Sequence, residues 1–201
     1  MTKRIFIIHG WGARPSNHWF PWLKKELEKK GYEVTVPQMP NTEHPHVNEW
    51  VSHLSKVVGE ANKDTYFVGH SLGCITIARY LESLPEKSKV GGCVFVAGFS
   101  RNIGYPELKT FYGPKIDFEK IKKYTKKFTA IMSDNDPVVP RERGLELKKQ
   151  LNAKLIVEHN KGHFNAIDGV TQLPVVLEEI ICMAGQLTSS ILNKSGLKHQ
   201  L

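Results

Sequence analysis

Four short stretches of the chain carry residues able to do chemistry together: His9-Gly-Trp-Gly12, Gly69-His-Ser-Leu-Gly73, Ser133-Asp-Asn-Asp-Pro137 and Gly162-His-Phe164. The second has the form G-x-S-x-G, which places a serine on a tight turn between a strand and a helix. Larger residues at 69 and 73 would collide across such a turn, and the unpaired N–H groups of the following helix favour a developing negative charge. Out of context the same pattern describes a glycine-flanked turn with a surface serine. Here an apolar run, Thr65-Tyr-Phe-Val68, precedes it and an apolar helical stretch follows. That context points to acyl transfer, with Ser71 attacking a carbonyl carbon.

A serine hydroxyl is a weak nucleophile and needs a neighbouring base, which in turn needs a carboxylate to fix its tautomer. Nine histidines compete for the role of base. His9 and His70 are embedded in turn motifs and suit packing or hydrogen bonding. His44 and His46 flank Pro45 in a loop, His18 and His53 fall in stretches that read as helical, and His199 is in the tail. His159 lies at the end of a strand-like run and reads as a surface residue. His163, on the loop after that run, is the position from which a base reaches back to Ser71. For the acid, Asp136 is preferred because it lies farther beyond a strand and is braced by Pro137. Asp134 and Asp168 remain alternatives. The oxyanion needs two backbone donors, expected from the N–H groups of Leu72, the residue after the serine, and Trp11 in the first strand–helix loop.

The elements that must position these residues can be read from the apolar pattern. Buried strands are expected at Arg4 to Ile8, Tyr32 to Val36, Thr65 to Val68, Val90 to Phe99, Lys127 to Met132 and Lys154 to Glu158. Helices are expected at Trp19 to Lys30, Val47 to Ala61, Leu72 to about Leu84, Arg143 to Leu151 and Leu173 to about Leu192. Short apolar strands alternating with helices imply a six-stranded parallel sheet covered on both faces, a three-layer α/β fold. In such sheets function gathers at the carboxyl ends of the strands, and all four chemical stretches follow expected strands. The segment from about 100 to 126 breaks the alternation and reads as a short cap. It carries Tyr105, Phe111 and Tyr112, and between Arg101 and Lys127 eight basic residues stand against three acidic ones. That excess is a candidate selector of anionic substrates, set against the plainer reading of a solvated helix face.

At 201 residues one domain is expected, over 1–194, with 195–201 as a frayed tail. The net charge of +8 resides largely on lysines interleaved with glutamates, so neither a nucleic acid nor a membrane is expected as partner. Only Ile5 to Ile8 follow the charged start, too short a run for a secretory segment. Cys74, Cys93 and Cys182 lack metal-like spacing and read as buried free thiols. A cytoplasmic location and no metal are the matching expectations.

Taken together, Ile7-Ile-His-Gly-Trp-Gly12, Gly69-His-Ser-Leu-Gly-Cys74, Ser133 to Pro140 and Gly162-His-Phe-Asn165 resemble the small serine hydrolases of the family that includes bacterial YdeN and the retinoblastoma-binding serine hydrolase. The blocks span nearly the whole chain, and their order Ser, Asp, His is that of α/β-hydrolases. The resemblance implies an α/β-hydrolase fold, a triad carried by Ser71, His163 and Asp136, and no cofactor; the acyl transfer read from Ser71 sets a small carboxylic ester, thioester or amide as the expected substrate. One feature departs from the family's retinoblastoma binder. Leu72-Gly-Cys74-Ile-Thr76 has threonine where the Leu-x-Cys-x-Glu motif needs glutamate, so no retinoblastoma-type partner is expected. A binding or regulatory protein with a vestigial triad is the competing expectation, since fold alone does not establish activity.

Overall fold

The computed structural model describes residues 2–185. Six strands, β1 (Arg4–Ile8), β2 (Glu33–Thr35), β3 (Thr65–His70), β4 (Gly92–Val96), β5 (Phe128–Ser133) and β6 (Lys154–Glu158), form one sheet in the order β2-β1-β3-β4-β5-β6. Every neighbouring pair is parallel. Six helices, α1 (Phe20–Glu28), α2 (Val47–Val58), α3 (Leu72–Ser83), α4 (Phe118–Tyr124), α5 (Glu142–Leu151) and α6 (Pro174–Met183), cover its two faces.

Side-chain alternation along each strand divides the core in two. Ile5 and Ile7 of β1, Val68 of β3, Val94 of β4 and Ile131 of β5 pack with Leu23 of α1 and Val176 and Ile180 of α6. Phe6 and Ile8, Phe67, Phe95 and Met132 point the other way and pack with Trp50 of α2, Tyr80 of α3, Ile121 of α4 and Leu147 of α5. Strands buried on both faces must be apolar throughout, which is why they read as unbroken hydrophobic runs.

The expected elements are all present; β1 and β6 keep the expected bounds and the others have shifted ends. The fourth strand is shorter than Val90 to Phe99, because Ala97 turns to φ 48 directly after it. The last helix starts at Pro174 and is followed to Met183; its expected course to Leu192 and the tail lie outside the described residues. Cys74 and Cys93 are buried, but Cys182 is exposed, which corrects the expectation for that thiol. Helical periodicity turns Val176, Ile180 and Met183 of α6 inward and leaves Cys182 outward.

The segment 100–126 divides into two parts. A 3-10 helix over Pro106–Tyr112 sinks Leu108 and Phe111 into the core, with the Phe111 ring 5.8 Å from Trp50. The second part is α4, which packs between α3 and α5 as the crossover from β4 to β5. Arg79 of α3 ties the first part down by donating to the carbonyls of Phe111 and Pro114.

Strand order places β1 between β2 and β3, so the loops leaving β1 and β3 run to opposite sides of the sheet. The crevice between their carboxyl ends is where such sheets hold ligands. His9-Gly-Trp-Gly12 and Ser71 flank it. Among the described residues, no helix is long and apolar enough to cross a membrane.

Candidate active site

Ser71 sits between the end of β3 and the start of α3, at φ 53 and ψ −117. Positive φ in a non-glycine residue is costly and persists only where the surroundings enforce it. Here the Ser71 N–H donates to the Val96 carbonyl at 2.9 Å, and β3 is fully buried on both sides. The flanking glycines are required by contact. A Cβ at Gly73 would lie 2.1 Å from the carbonyl oxygen of Ile8, and one at Gly69 would lie 2.8 Å from the Cys74 backbone. The hydroxyl is thereby held outward at the helix start.

His163 lies on the loop after β6, brought to Ser71 across two strands. Its Nε2 is 3.0 Å from Ser71 Oγ. Its Nδ1 is 2.8 Å and 3.0 Å from the two carboxylate oxygens of Asp136. Nδ1–H therefore donates to Asp136, and Nε2 is left with a lone pair that accepts from the serine hydroxyl. The Asp136 side chain is 0% exposed, and its Oδ1 also accepts the N–H groups of Val138 and Val139 at 2.8 Å and 2.9 Å. Asp134, the alternative acid, points elsewhere. It meets the exposed His159 at 2.5 Å and accepts from the Asn160 N–H, contacts that hold its carboxyl below the usual range. The four stretches singled out by residue type thus converge: Ser71, His163 and Asp136 meet directly, and Asp134 and His159 pair with each other.

Asp168, the third acid considered, serves the loop. One of its oxygens accepts the N–H groups of His163 and Asn165, at 2.9 Å and 3.1 Å. Gly162 (φ 52) must be glycine because a Cβ would fall 2.4 Å from the Asp168 carboxyl carbon. His70 supports the same loop from below. Its Nε2–H donates to the His163 carbonyl at 2.8 Å, and its Nδ1 is buried without a partner. Burial, then the neighbouring His163, pushes the His70 pKa well down, so it stays neutral. His9 is likewise buried, accepting the Met39 N–H on Nε2 and donating from Nδ1 to the Gly10 carbonyl.

The two expected oxyanion donors flank Ser71. Leu72 is the first residue of α3, where N–H groups lack intrahelical partners. Trp11 follows Gly10, whose backbone lies so close that a Cβ there would be 3.1 Å from Ser71 Cβ. Among the described residues neither the Leu72 nor the Trp11 N–H has a bonded acceptor. The Trp11 ring is pinned by donating to the Glu43 carbonyl at 3.0 Å and by edge contact with Tyr105.

Above Ser71 and His163 opens a cavity of about 360 Å³. Trp11, Ile103, Tyr105, Leu108 and Val138 supply its apolar lining, and among the described residues no Lys, Arg, Asp or Glu lines it. Two of the three lysines of α4 are occupied away from it: Lys120 donates to the Glu82 carbonyl and Lys122 pairs with Glu119. Three lining residues escaped sequence reasoning, namely Asn17, His18 and Asn165. His18 precedes α1 at φ 53 instead of lying on a helix, and only that kink turns it toward the cavity. Among the described residues no three potential ligands gather as a metal site.

Comparison with known proteins shows the family and the fold of the chain. Residues 5–181 match the profile of a family described as serine hydrolase. YdeN of Bacillus subtilis (strain 168) is 37% identical over 179 residues, covering 89% of this chain and 94% of that one. The crystal structure of the ydeN gene product superposes with a TM-score of 0.86 at 36% identity, over 92% of this chain and 100% of that one. Serine hydrolase RBBP9 of Rattus norvegicus is 25% identical over 167 residues, 81% of this chain and 87% of its own. A solved carboxylesterase of Nitrososphaera gargenis shares the fold alone, at TM-score 0.70 and 13% identity, over 92% and 91% of the two chains. The three layers and the six-stranded parallel sheet are those of the α/β-hydrolases.

Proposed function

The chain belongs to the serine hydrolase family, and on that premise we propose that it cleaves small carboxylic esters through an acyl-enzyme on Ser71. The observation that carries the reading is the unbroken hydrogen-bond chain from Ser71 Oγ through His163 to the buried Asp136.

His163 Nε2 takes the hydroxyl proton as Ser71 Oγ attacks the ester carbonyl carbon. Asp136 accepts from Nδ1–H throughout, which keeps the lone pair on Nε2 and stabilises the imidazolium that forms. The N–H groups of Leu72 and Trp11 receive the negative charge of the tetrahedral intermediate. Such a donor is typically worth about 10²–10³ in kcat, because it is already oriented when charge appears. His163 then gives the proton to the leaving alcohol, and water, deprotonated by the same nitrogen, releases the acid. The same attack serves thioesters and amides.

A small substrate follows from the cavity, which at about 360 Å³ is near the lower end of small-molecule sites. The uncharged lining favours neutral acyl groups, and the basic excess of the 100–126 segment lies away from it. The test is incubation with a fluorophosphonate probe, followed by peptide mass spectrometry. A single adduct on the peptide containing Ser71 is expected. No adduct, or an adduct on another serine, would overturn the assignment.

A further inference from the structure

The cavity beside Ser71 has two unlike walls. One is apolar, built by Trp11, Ile103, Tyr105, Leu108 and Val138; the other is built by Asn17, His18 and Asn165. The hydrogen bonds of the second wall fix which polar groups remain available. Asn17 Oδ1 accepts the Arg14 N–H at 2.8 Å, so its amide NH₂ is the uncommitted end. The Asp168 N–H bonds to the Asn165 backbone carbonyl at 3.0 Å and the Asn165 N–H to Asp168 Oδ2 at 3.1 Å, so the Asn165 side-chain amide keeps its NH₂ for a ligand. His18 Nδ1 accepts the Ala166 N–H at 3.0 Å, so the proton of the neutral ring is on Nε2. Burial, and next the nearby His163, hold the His18 pKa below its ordinary value, so that ring is neutral at neutral pH. Among the described residues none of these three N–H groups has an acceptor.

The wall also has a defined position relative to the reaction. The His18 ring packs on His70 at 5.6 Å, and His70 packs on His163 at 5.0 Å. Asn165 stands two residues after His163. His18 also bonds to the Ala166 N–H beside Asn165, so the donors border the His163 loop, and a leaving group must approach His163 to take its proton.

We propose that Asn17, His18 and Asn165 form a leaving-group subsite for alcohols bearing a further neutral oxygen acceptor, a carbonyl or carboxamide. The proposal rests on the ester-hydrolase reading above and adds to it the chemistry of the alcohol. Partly exposed neutral hydrogen bonds of this kind discriminate by about tenfold, far less than a fully enclosed polar site would. Among the described residues no lysine or arginine lines the cavity, which sets the neutral acceptor above a carboxylate.

The test is hydrolysis of phenyl acetates carrying a meta carboxamide, carboxylate or methyl group, each rate divided by that ester's alkaline hydrolysis rate. In the wild-type protein kcat/KM for the carboxamide is expected to exceed that for the methyl ester by about tenfold, with the carboxylate below the carboxamide. Asn17→Asp keeps the capping oxygen and loses the donor, and Asn165→Asp loses its donor likewise, so in both the ratio falls toward one. His18→Leu does the same, and His18→Gln, which retains an N–H, restores part of the ratio. Fluorophosphonate labelling of Ser71 verifies an assembled site in each variant. A wild-type ratio near one with Ser71 labelled overturns the subsite and leaves the hydrolase reading intact. So does a ratio unchanged by all the donor-removing variants, or a preferred carboxylate. Loss of both turnover and label in the wild-type protein overturns both readings.

Discussion

Replacing Asp136 with asparagine tests the arrangement at its most constrained point. Asp136 Oδ1 is held by two backbone donors, the N–H groups of Val138 and Val139, at 2.8 Å and 2.9 Å. In the Asp136→Asn variant the amide oxygen must stay on those donors, because the amide NH₂ placed there would face two N–H groups. The NH₂ is then forced into the place of Oδ2, 2.8 Å from His163 Nδ1. A donor at that point makes Nδ1 an acceptor and moves the ring proton to Nε2, facing Ser71. The base would then hold a proton where it needs a lone pair. The structure thus enforces the wrong tautomer, and the expected loss is on the order of 10⁴ in kcat, the cost of this substitution in a comparable triad. The assay is p-nitrophenyl acetate turnover at pH 7.5, with Asp134→Asn as control. Asp134 serves only His159 and Asn160, so that variant should stay within about tenfold of wild type. Asp136→Asn within tenfold of wild type, or an equal loss in both variants, would refute the tautomer argument.

Three further outcomes follow from the packing around the site. Gly73→Ala puts a methyl group 2.1 Å from the Ile8 carbonyl oxygen; the expected loss is about 3 kcal/mol, a fall in Tm of roughly 6–12 °C, and an unchanged Tm would contradict the close approach. His9 and His70 have pKa values lowered by burial from the ordinary 6.5. The unfolded chain therefore binds protons that the folded chain refuses, and stability is full above pH 6.5 and falls as the pH drops below it. Calorimetry between pH 7.5 and 5.5 should show this decline, and His70→Gln should flatten it; equal slopes would remove His70 from the account. Across p-nitrophenyl esters from acetate to palmitate, kcat/KM should peak at short acyl chains, because a cavity of about 360 Å³ leaves long chains without apolar wall to dock against. A steady climb to palmitate would contradict the small pocket.

The strands and the order of chemical residues were legible because a sheet buried on both faces demands apolar runs, and its crevice demands that function follow them. Ile5 to Ile8 and Thr65 to Val68 could be read directly for that reason. The preference for Asp136 over Asp134 rests on local position alone, farther beyond the strand and braced by Pro137. Loop residues carried no comparable signal. His18 read as helical because Trp19 and Phe20 begin an apolar periodicity, and its left-handed backbone leaves no trace in residue type. Asn17 resembles any loop asparagine until Arg14 is seen to claim its oxygen, and Asn165 until it is seen in the cavity lining. The division of the 100–126 segment was hidden as well. Phe111 looks like a lining aromatic, yet Trp50, distant in sequence, draws it into the core.

The central claim is that Ser71 is the nucleophile, and Ser71→Ala tests it most directly. The variant removes Oγ and leaves intact the Val96 bond of the backbone N–H and the glycine contacts that shape the turn. A folded protein with near-native Tm is therefore expected, together with a loss of ester hydrolysis on the order of 10⁴-fold or more, since triad members act as a unit. Hydrolysis by the purified variant at the wild-type rate would contradict the account and move the nucleophile to another residue.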